Sequence, residues 1–543
     1  MDLFSASATT VSKPLAATAL AFALFLGGAA FWGLDKRILG LFHDDAIYAV
    51  VGKAIAEAEG YRIVSLPTAP AQTKYPFAYS YLLSWLWLLN PSFPQNIVLL
   101  KSLNIIILVG IFFVAFFYYR RCSGGSAIAA LLYGVLLCCN PLVFGFTDYV
   151  LSDLLLVLLT LLALNLSTGA EAECARSSRM LWLGVVIGLA CVSRTAALPL
   201  LLAGMVHALI RSGWRAVACL LVGASVFVAP WLIWVSFHRP PSDALFAYYT
   251  AYDPLGSTAN SLFPALKSHW SVVQGNAYYL ADMLRMFYLT PLLPGVGFFL
   301  GFVSSVGALA SARRENVFAW SFLACSIALL LFWPFHPGRY LASLAPLILL
   351  FLCYGMERIA SWIKAALNHS TWAVSVSRLT WSAALVVLLL EGVWLSGYLL
   401  IRDDQTTRGL YGRRLSYSWH GFEESFAWIR AHTRPDALLA TAYDPMYYLY
   451  TGRRAIRPAL HRPASYFYPP GESQPEVGQI EEIKPQLVKL GINYLVVDPL
   501  DGYAEGKATL KLLDELIQSF GSQAERVFTS SDGKHRIYRL AIQ

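Results

Sequence analysis

The chain has few charged residues. Asp, Glu, Lys and Arg make up only 14% of its 543 residues, whereas a soluble globular domain carries about 25%. Hydrophobic residues reach 57%, and apolar runs such as 97–119 and 379–401 are as long as the roughly 20 residues that cross a hydrocarbon core. This composition excludes an ordinary soluble protein and indicates a polytopic membrane protein.

Cysteine is lacking in the polar C-terminal stretch. The eight cysteines all lie at or before residue 353, in or beside apolar runs, and their spacing matches neither a disulfide scaffold nor a zinc site. A basic stripe on a soluble module is also lacking. The net charge is +8, but the Arg pairs stand beside apolar segments, where positive residues set membrane topology. We therefore expect no nucleic-acid partner.

About eleven segments are predicted to cross the membrane. The apolar stretch 76–90 is shorter and lies between prolines, so we interpret it as interfacial or re-entrant. The first span is longer than a signal-peptide core of about 7–15 residues, and we expect it to stay uncleaved. Two short segments, 180–192 and 195–210, are also compatible with a broken or tilted pair. The predicted spans are 14–34, 97–119, 124–143, 149–167, 180–192, 195–210, 216–236, 290–310, 317–335, 340–358 and 379–401.

Lys and Arg in the short loops give the orientation. With the N-terminus in the cytoplasm, the basic clusters all fall inside, as positive residues prefer. The predicted fold is a polytopic all-α transmembrane bundle over 1–401, whose first outer loop is 35–96, followed by a soluble extracytoplasmic α/β domain over 402–543. The clusters are 120–121, 176–179, 211–215, 313–314 and 358–364.

Local patterns in the C-terminal stretch predict its elements. We expect a helix over 419–430, an amphipathic helix over 509–520 and short buried strands over 437–441 and 492–497. Asp532-Gly533 is typical of a hairpin turn, here between 527–529 and 536–541.

The first outer loop carries the most informative polar residues. Asp44 and Asp45 are followed by Tyr48 and, farther on, by Lys74. Adjacent carboxylates beside a span are costly unless they are hydrated, paired or bound to a metal. Their repulsion would raise one pKa, which suits a general base. If the pair is considered alone, a hydrated acidic loop explains it better than a general base does.

Further ionisable residues are predicted at the same face. Asp148 and Asp153 stand at the start of one span, and Asp153 lies far enough inside to be functional or paired. Arg194 occupies a turn between two spans, as an interfacial anchor or as a functional residue. His336 and Arg339 cap another span, and Arg339 opposes the positive-inside trend, which favours function. Weaker candidates are His238, Arg239 and, inside the last span, Glu391.

Together these residues indicate group transfer. Lys74, Arg194 and Arg339 are suited to bind a phosphate or pyrophosphate headgroup at a lipid interface. A neighbouring carboxylate would deprotonate an acceptor hydroxyl, and the cations would stabilise the charge of the departing lipid phosphate.

The first outer loop resembles that of the C-type glycosyltransferases, polytopic enzymes that use polyprenyl-phosphate sugars. It is most similar to the branch of protein O-mannosyltransferases and lipid A aminoarabinose transferases. That pattern has an acidic pair, a Tyr three residues later, a Gly and then Lys-Pro-Pro before an apolar run. The matching residues are Asp44-Asp45, Tyr48, Gly60 and Lys74-Tyr75-Pro76, with Pro141, Ser152-Asp153, Arg194, Arg339 and Ala345-Pro346 in similar places over 14–360.

The resemblance implies roles for these residues. Asp44 would activate the acceptor, Asp45 would assist by hydrogen bonding or metal binding, and Lys74 would hold the donor phosphate. Arg194 and Arg339 would share that last role. Tyr48, Asp148, Asp153 and His336 are candidates for support. Because family members differ in their need for a divalent metal, the resemblance assigns none.

The chain also departs from the family pattern. Asp45 stands where Glu is commoner, Tyr75 replaces the first Pro, and Thr73 stands where some members have an acid. These differences leave the sugar and the acceptor open.

Three hypotheses follow. The first is an inverting glycosyltransferase on the outer face of a bacterial inner membrane, with a polyprenyl-phosphate sugar as donor and a lipid, glycan or protein as acceptor. The second is a transporter or lipid-linked-sugar flippase. Transporters typically have charges near the bilayer midplane and inverted repeats, whereas the ionisable residues here are predicted mostly at one face, so this hypothesis is weaker. The third is a membrane-anchored binding or assembly protein, which leaves Asp44, Asp45 and Lys74 unexplained.

Overall fold

The computed structural model describes most of the chain. His336, Arg239, Glu391 and the predicted span 379–401 lie outside the described residues. The described ranges are 13–122, 127–168, 173–238, 245–246, 249, 270, 273–278, 280, 294–311, 317–333, 338–366, 419–459, 480–500 and 506–541.

The described chain up to residue 366 is almost entirely helical. Its helices are α1 (Lys13–Trp32), α2 (Asp44–Ala56), α3 (Phe77–Leu89), α4 (Ile97–Cys122), α5 (Ala127–Cys138), α6 (Pro141–Phe144), α7 (Asp153–Ser167), α8 (Glu173–Ser193), α9 (Leu198–Ser212), α10 (Trp214–Phe237), α11 (Pro294–Ala310), α12 (Val317–Phe332) and α13 (Leu341–Ala366).

Several of these helices are long and apolar enough to cross a membrane. Within the described ranges there are five, or six if a bent pair counts as one span. The bent pair is α5 and α6, which meet at 57°, so the predicted single span 124–143 is broken. The protein is therefore a multi-pass membrane protein, while the count of eleven spans stays a prediction.

Small residues let some of these helices cross closely. A Cβ on Gly184 of α8 would collide with the carbonyl oxygen of Leu220 in α10, and one on Gly223 would collide with that of Leu181. A Cβ on Gly307 of α11 would likewise collide with the carbonyl oxygen of Phe351 in α13. Packing through small residues is typical of membrane helices, because it brings backbones into van der Waals contact.

The C-terminal part forms a mixed α/β unit. Its helices are α14 (Trp419–His432), α15 (Asp444–Thr451), α16 (Ile480–Lys489) and α17 (Gly506–Phe520). Its strands are β1 (Leu439–Ala440), β2 (Ala455–Ile456), β3 (Tyr494–Val497), β4 (Ala524–Thr529) and β5 (Arg536–Leu540).

These strands form one sheet in the order β2-β1-β3-β5-β4. β1 pairs in parallel with β2 and β3, and β5 pairs antiparallel with β3 and β4. The two predicted helices, the two predicted buried strands and the hairpin are confirmed. The short elements β2, α15 and α16 were not predicted.

The α/β unit packs against the 35–96 loop. The Tyr450 hydroxyl of α15 donates to the carbonyl of Arg37 and accepts the N–H of Leu39. Gly40 has a φ of 110°, and a Cβ there would lie 2.6 Å from the Cβ of Met446, so this approach requires glycine. The N–H of Ala455 donates to the carbonyl of Ser65 at 2.8 Å. These contacts place the C-terminal unit beside the start of α2.

Candidate functional site

The two adjacent carboxylates open helix α2, where the helix dipole favours negative charge. They face different partners. Asp45 is buried, and its carboxylate accepts the N–H of Gly40 at 3.1 Å. Asp44 accepts the Tyr75 hydroxyl on one oxygen and Arg339 Nη2 on the other, both at 2.6 Å. Asp45 thus fixes the backbone before the helix, while Asp44 faces a cation.

The surroundings move the two pKa values in opposite directions. Burial raises the pKa of Asp45 to about 6, against the opposing effect of the Gly40 N–H. Burial would also raise the pKa of Asp44, but the charge of Arg339 and the Tyr75 hydrogen bond bring it well below its usual range. One carboxyl pKa is raised, as predicted, although burial rather than mutual repulsion is the main cause.

Two arginines lie close to one aromatic ring. The guanidinium carbons of Arg194 and Arg339 lie 5.0 and 5.4 Å from the centroid of the Tyr340 ring. That of Arg339 also lies 5.1 Å from the ring centroid of Phe42. Its Nη1 is buried and has no hydrogen-bond partner in the described part of the chain. Arg339 therefore keeps a donor that a second anion can use.

Arg194 is joined to the start of α7. Its Nη1 lies 2.6 Å from Asp153 Oδ2 and 3.4 Å from the Ser152 hydroxyl, and all three side chains are buried. The hydroxyl of Tyr48 lies 3.0 Å from that of Ser152. Burial raises the pKa of Tyr48 to about 12, so its hydroxyl stays protonated. Asp153 is therefore a paired residue, one of the two predicted alternatives.

Lys74 lies in the same region. It is 7% exposed, and its Nζ lies 5.6 Å from the Tyr75 ring centroid. Burial lowers the pKa of Lys74 to about 8; the charge of Asp44 opposes this, and those of Arg457 and Arg339 lower it further. The side chains of Asp44, Lys74 and Arg339 are thus brought together.

Arg457 was missed by sequence reasoning. It is buried just after strand β2, and its backbone N–H donates to the hydroxyl of Tyr249 at 3.0 Å. Its charge acts on Lys74, so the α/β unit adds a cation to the neighbourhood of the site. The only sequence signal was the cluster of Arg453, Arg454 and Arg457.

Asp148 is bonded to Lys101 and Asp35 rather than to the cations near Asp44. Its carboxylate accepts Lys101 Nζ at 3.1 Å and the N–H of Asp35 at 2.8 Å, and Lys101 also donates to the carbonyl of Asp35. These bonds fix the chain after α1. His238, a weaker candidate, stacks on Trp234 with ring centroids 3.6 Å apart.

No metal ligand set is found where the structure places side chains. Among the described residues, no group of three or more His, Cys, Asp and Glu side chains could hold a metal ion. Both oxygens of Asp44 are engaged by protein donors.

Neither a protein-family model nor a curated protein matches the sequence of the chain. The fold matches solved structures. One is ArnT from Cupriavidus metallidurans bound to undecaprenyl phosphate, with a TM-score of 0.60, 15% identity and coverage of 97% of this chain and 98% of that chain. Another is the Archaeoglobus fulgidus oligosaccharyltransferase tethered with an acceptor peptide, with a TM-score of 0.52, 13% identity and coverage of 98% and 74%.

These identities are low, so the matches establish the fold alone. The matched enzymes are a lipid A aminoarabinose transferase and an oligosaccharyltransferase, both C-type glycosyltransferases. Nearly the whole chain therefore has the fold of the C-type glycosyltransferases, as the resemblance of its first outer loop predicts.

Proposed function

We propose that the protein is a membrane glycosyltransferase that moves a sugar from a polyprenyl-phosphate donor to a lipid, glycan or protein acceptor. The observation that carries the proposal is the ion pair between Asp44 and Arg339. It joins a candidate base to a cation with a spare donor, beside Lys74. The fold supports the proposal, because the similar ArnT structure holds undecaprenyl phosphate.

The donor phosphate would bind the cations. Arg339 has a planar fork of donors suited to phosphate oxygens, and Lys74 adds a point charge. Both would stabilise the negative charge that develops as the polyprenyl phosphate departs. Arg194 is a further candidate for this role, although its guanidinium already pairs with Asp153.

Donor binding would also change Asp44. In the structure, Arg339 holds the pKa of Asp44 low, which makes this carboxylate a weak base. A phosphate that draws the guanidinium towards itself weakens the ion pair and raises the basicity of Asp44. Asp44 then takes the proton of the acceptor hydroxyl, while the oxygen of that hydroxyl attacks the anomeric carbon of the donor sugar. The bond from that carbon to the phosphate oxygen breaks, and a single displacement inverts the configuration.

The membrane arrangement is part of the proposal. Residues 1–401 would form the membrane domain with about eleven spans and a cytoplasmic N-terminus, and 402–543 would form an extracytoplasmic domain. The contacts of Met446, Tyr450 and Ala455 with the 35–96 loop support a location of both on the same side. The membrane would be the bacterial inner membrane, with the site at its outer face.

Lys74→Ala tests donor binding. We expect it to weaken binding of undecaprenyl phosphate by about 10- to 150-fold, the range for losing a hydrogen bond to a charged group of about 1.5–3 kcal/mol. Titration of the detergent-purified protein measures the dissociation constant. Lys53→Ala is the matched control, because Lys53 lies in the same loop and pairs with Glu57. Equal affinities of the two variants would contradict the role of Lys74.

The pH dependence of donor binding tests the same lysine. Its pKa is about 8, so the free protein loses this charge as pH rises through that value. We expect the affinity for undecaprenyl phosphate to fall above about pH 8, since the phosphate is already fully ionised above its second pKa of about 6. Lys74→Arg should remove this fall, because arginine stays protonated. Identical pH profiles for the wild type and this variant would contradict the assignment.

A further inference from the structure

The chain enters helix α2 through a strained turn. His43 has φ 61° and ψ −59°, and the N–H of Asp44 donates to the carbonyl of Phe42 at 2.7 Å. An i to i+2 hydrogen bond across such a residue defines a γ-turn of the rare, strained type. The strained residue directly precedes the candidate base.

This turn sets the direction of Asp44. Relaxation of His43 to a negative φ would rotate the peptide that links it to Asp44. The carboxylate could then no longer meet both Tyr75 and Arg339 at their present distances of 2.6 Å. Strained backbone persists only where its surroundings over-determine it, and it concentrates at functional sites.

A residue of the C-terminal unit holds the turn. His43 Nε2 lies 3.0 Å from Asp444 Oδ1, although the two residues are 401 positions apart. Both side chains are buried, with 3% and 0% exposure. A buried contact of this kind is costly to break, because it leaves a polar group without solvent or partner.

Asp444 is itself held rigidly. It is the first residue of α15, and two tyrosines at the start of this helix are hydrogen-bonded to the segment that follows β3. The Tyr447 hydroxyl donates to Asp498 Oδ1 at 2.8 Å, and the Tyr443 hydroxyl donates to the carbonyl of Pro499 at 3.0 Å. Asp498 in turn lies 2.9 Å from His535 Nδ1. This network keeps α15 in place against the 35–96 loop.

We propose that Asp444 is a positioning residue for the transfer reaction: it holds His43 in the γ-turn and thereby orients the carboxylate of Asp44. The inference rests on the proposed function, in which Asp44 is the base. It makes the C-terminal unit part of the active site, because that unit supplies the contact on which the geometry of the base depends.

The first experiment compares Asp444→Ala with Tyr450→Phe. Asp444→Ala should lower kcat about 10- to 100-fold, the range for a reacting group misplaced by about 1 Å, while KM for the donor changes less than about threefold. Tyr450→Phe removes two other hydrogen bonds between the same unit and the same loop, and it should leave kcat nearly unchanged. A loss in Tyr450→Phe equal to that in Asp444→Ala would overturn the proposal, since general loosening of the interface would then explain both.

The second experiment replaces His43. Glycine adopts positive φ without strain and alanine does not, so His43→Gly should keep a higher kcat than His43→Ala. In the His43→Gly background, Asp444→Ala should have no further effect, as expected for coupled residues. Equal kcat values for the Gly and Ala variants, or additive losses in the double variant, would overturn the proposal.

A readout without sugar transfer separates this inference from the proposed function. We expect Asp444→Ala to speed amide hydrogen exchange over 38–45 relative to wild type and Tyr450→Phe. If the wild type transfers no sugar but Asp444→Ala speeds exchange in this segment, the proposed function fails while the structural role of Asp444 stands. Unchanged exchange in this segment would overturn that role.

Discussion

Asp44→Asn is expected to lower kcat for sugar transfer by about 10²- to 10⁴-fold, the usual contribution of a general base. The amide keeps the size of the side chain and can still accept the Tyr75 hydroxyl, but it cannot take a proton and it loses the ion pair with Arg339. Initial rates at saturating donor and acceptor measure the effect.

Glu57→Gln is the matched control for this variant. Glu57 lies just after the same helix, is exposed and pairs only with Lys53 among the contacts described for it, so we expect full activity. Retention of wild-type kcat in Asp44→Asn would show that another group is the base. Asp148 and Asp153 would then be tested next, although the structure pairs them with Lys101 and Arg194.

Arg194→Met is expected to destabilise the protein by about 3–5 kcal/mol, because removal of one partner leaves an uncompensated buried charge. The charge is that of Asp153, which is 4% exposed and 2.6 Å from Arg194 Nη1. Unfolding of the detergent-purified protein measures the loss. Arg211→Met, at an exposed position at the end of α9, is the control and should be nearly neutral.

The double variant Arg194→Met/Asp153→Leu should recover most of this stability, since replacing both members of a buried ion pair by apolar residues is often neutral. If the double variant is as unstable as Arg194→Met, the pair does not explain the loss. Binding of undecaprenyl phosphate by the stable double variant then decides whether Arg194 also contacts the donor. Unchanged affinity would make its role structural.

The sequence predicts the membrane helices well where apolar runs are long. Predicted spans 14–34 and 97–119 correspond to α1 and α4, because length and hydropathy alone determine such segments. The predicted span 124–143 is instead broken before Pro141. The side chain of Asn140 caps the new helix by accepting the N–H of Leu142, a start signal that a hydropathy pattern does not register.

The clustering of the candidate residues was predicted in part. The short motif around Asp44 and Lys74 lies in a loop whose polar residues meet in the structure, but several partners of these residues come from distant parts of the chain. Arg339 reaches Asp44 across 295 positions, and Asp444 reaches His43 across 401. Local pattern carries no information on such contacts. It therefore could not show that one carboxylate faces a cation while the other fixes the backbone.

The turn at His43 and the cation at Arg457 could not be predicted for a related reason. Nothing in the residues around His43 requires a positive φ, and the turn persists because tertiary contacts hold it. Arg457 belongs to a short basic cluster that matches no motif, and the packing of β2 against the 35–96 loop brings it near Lys74.

The most direct test of the central claim is a transfer assay with the wild-type protein in proteoliposomes. A panel of radiolabelled polyprenyl-phosphate sugars is supplied together with a membrane extract as the source of acceptor. We predict that label from one donor moves to a new product, with release of the polyprenyl phosphate, and that Asp44→Asn stops this transfer. Label that crosses the bilayer while still attached to its polyprenyl phosphate, at the same rate in both proteins, would contradict the account and identify a flippase instead.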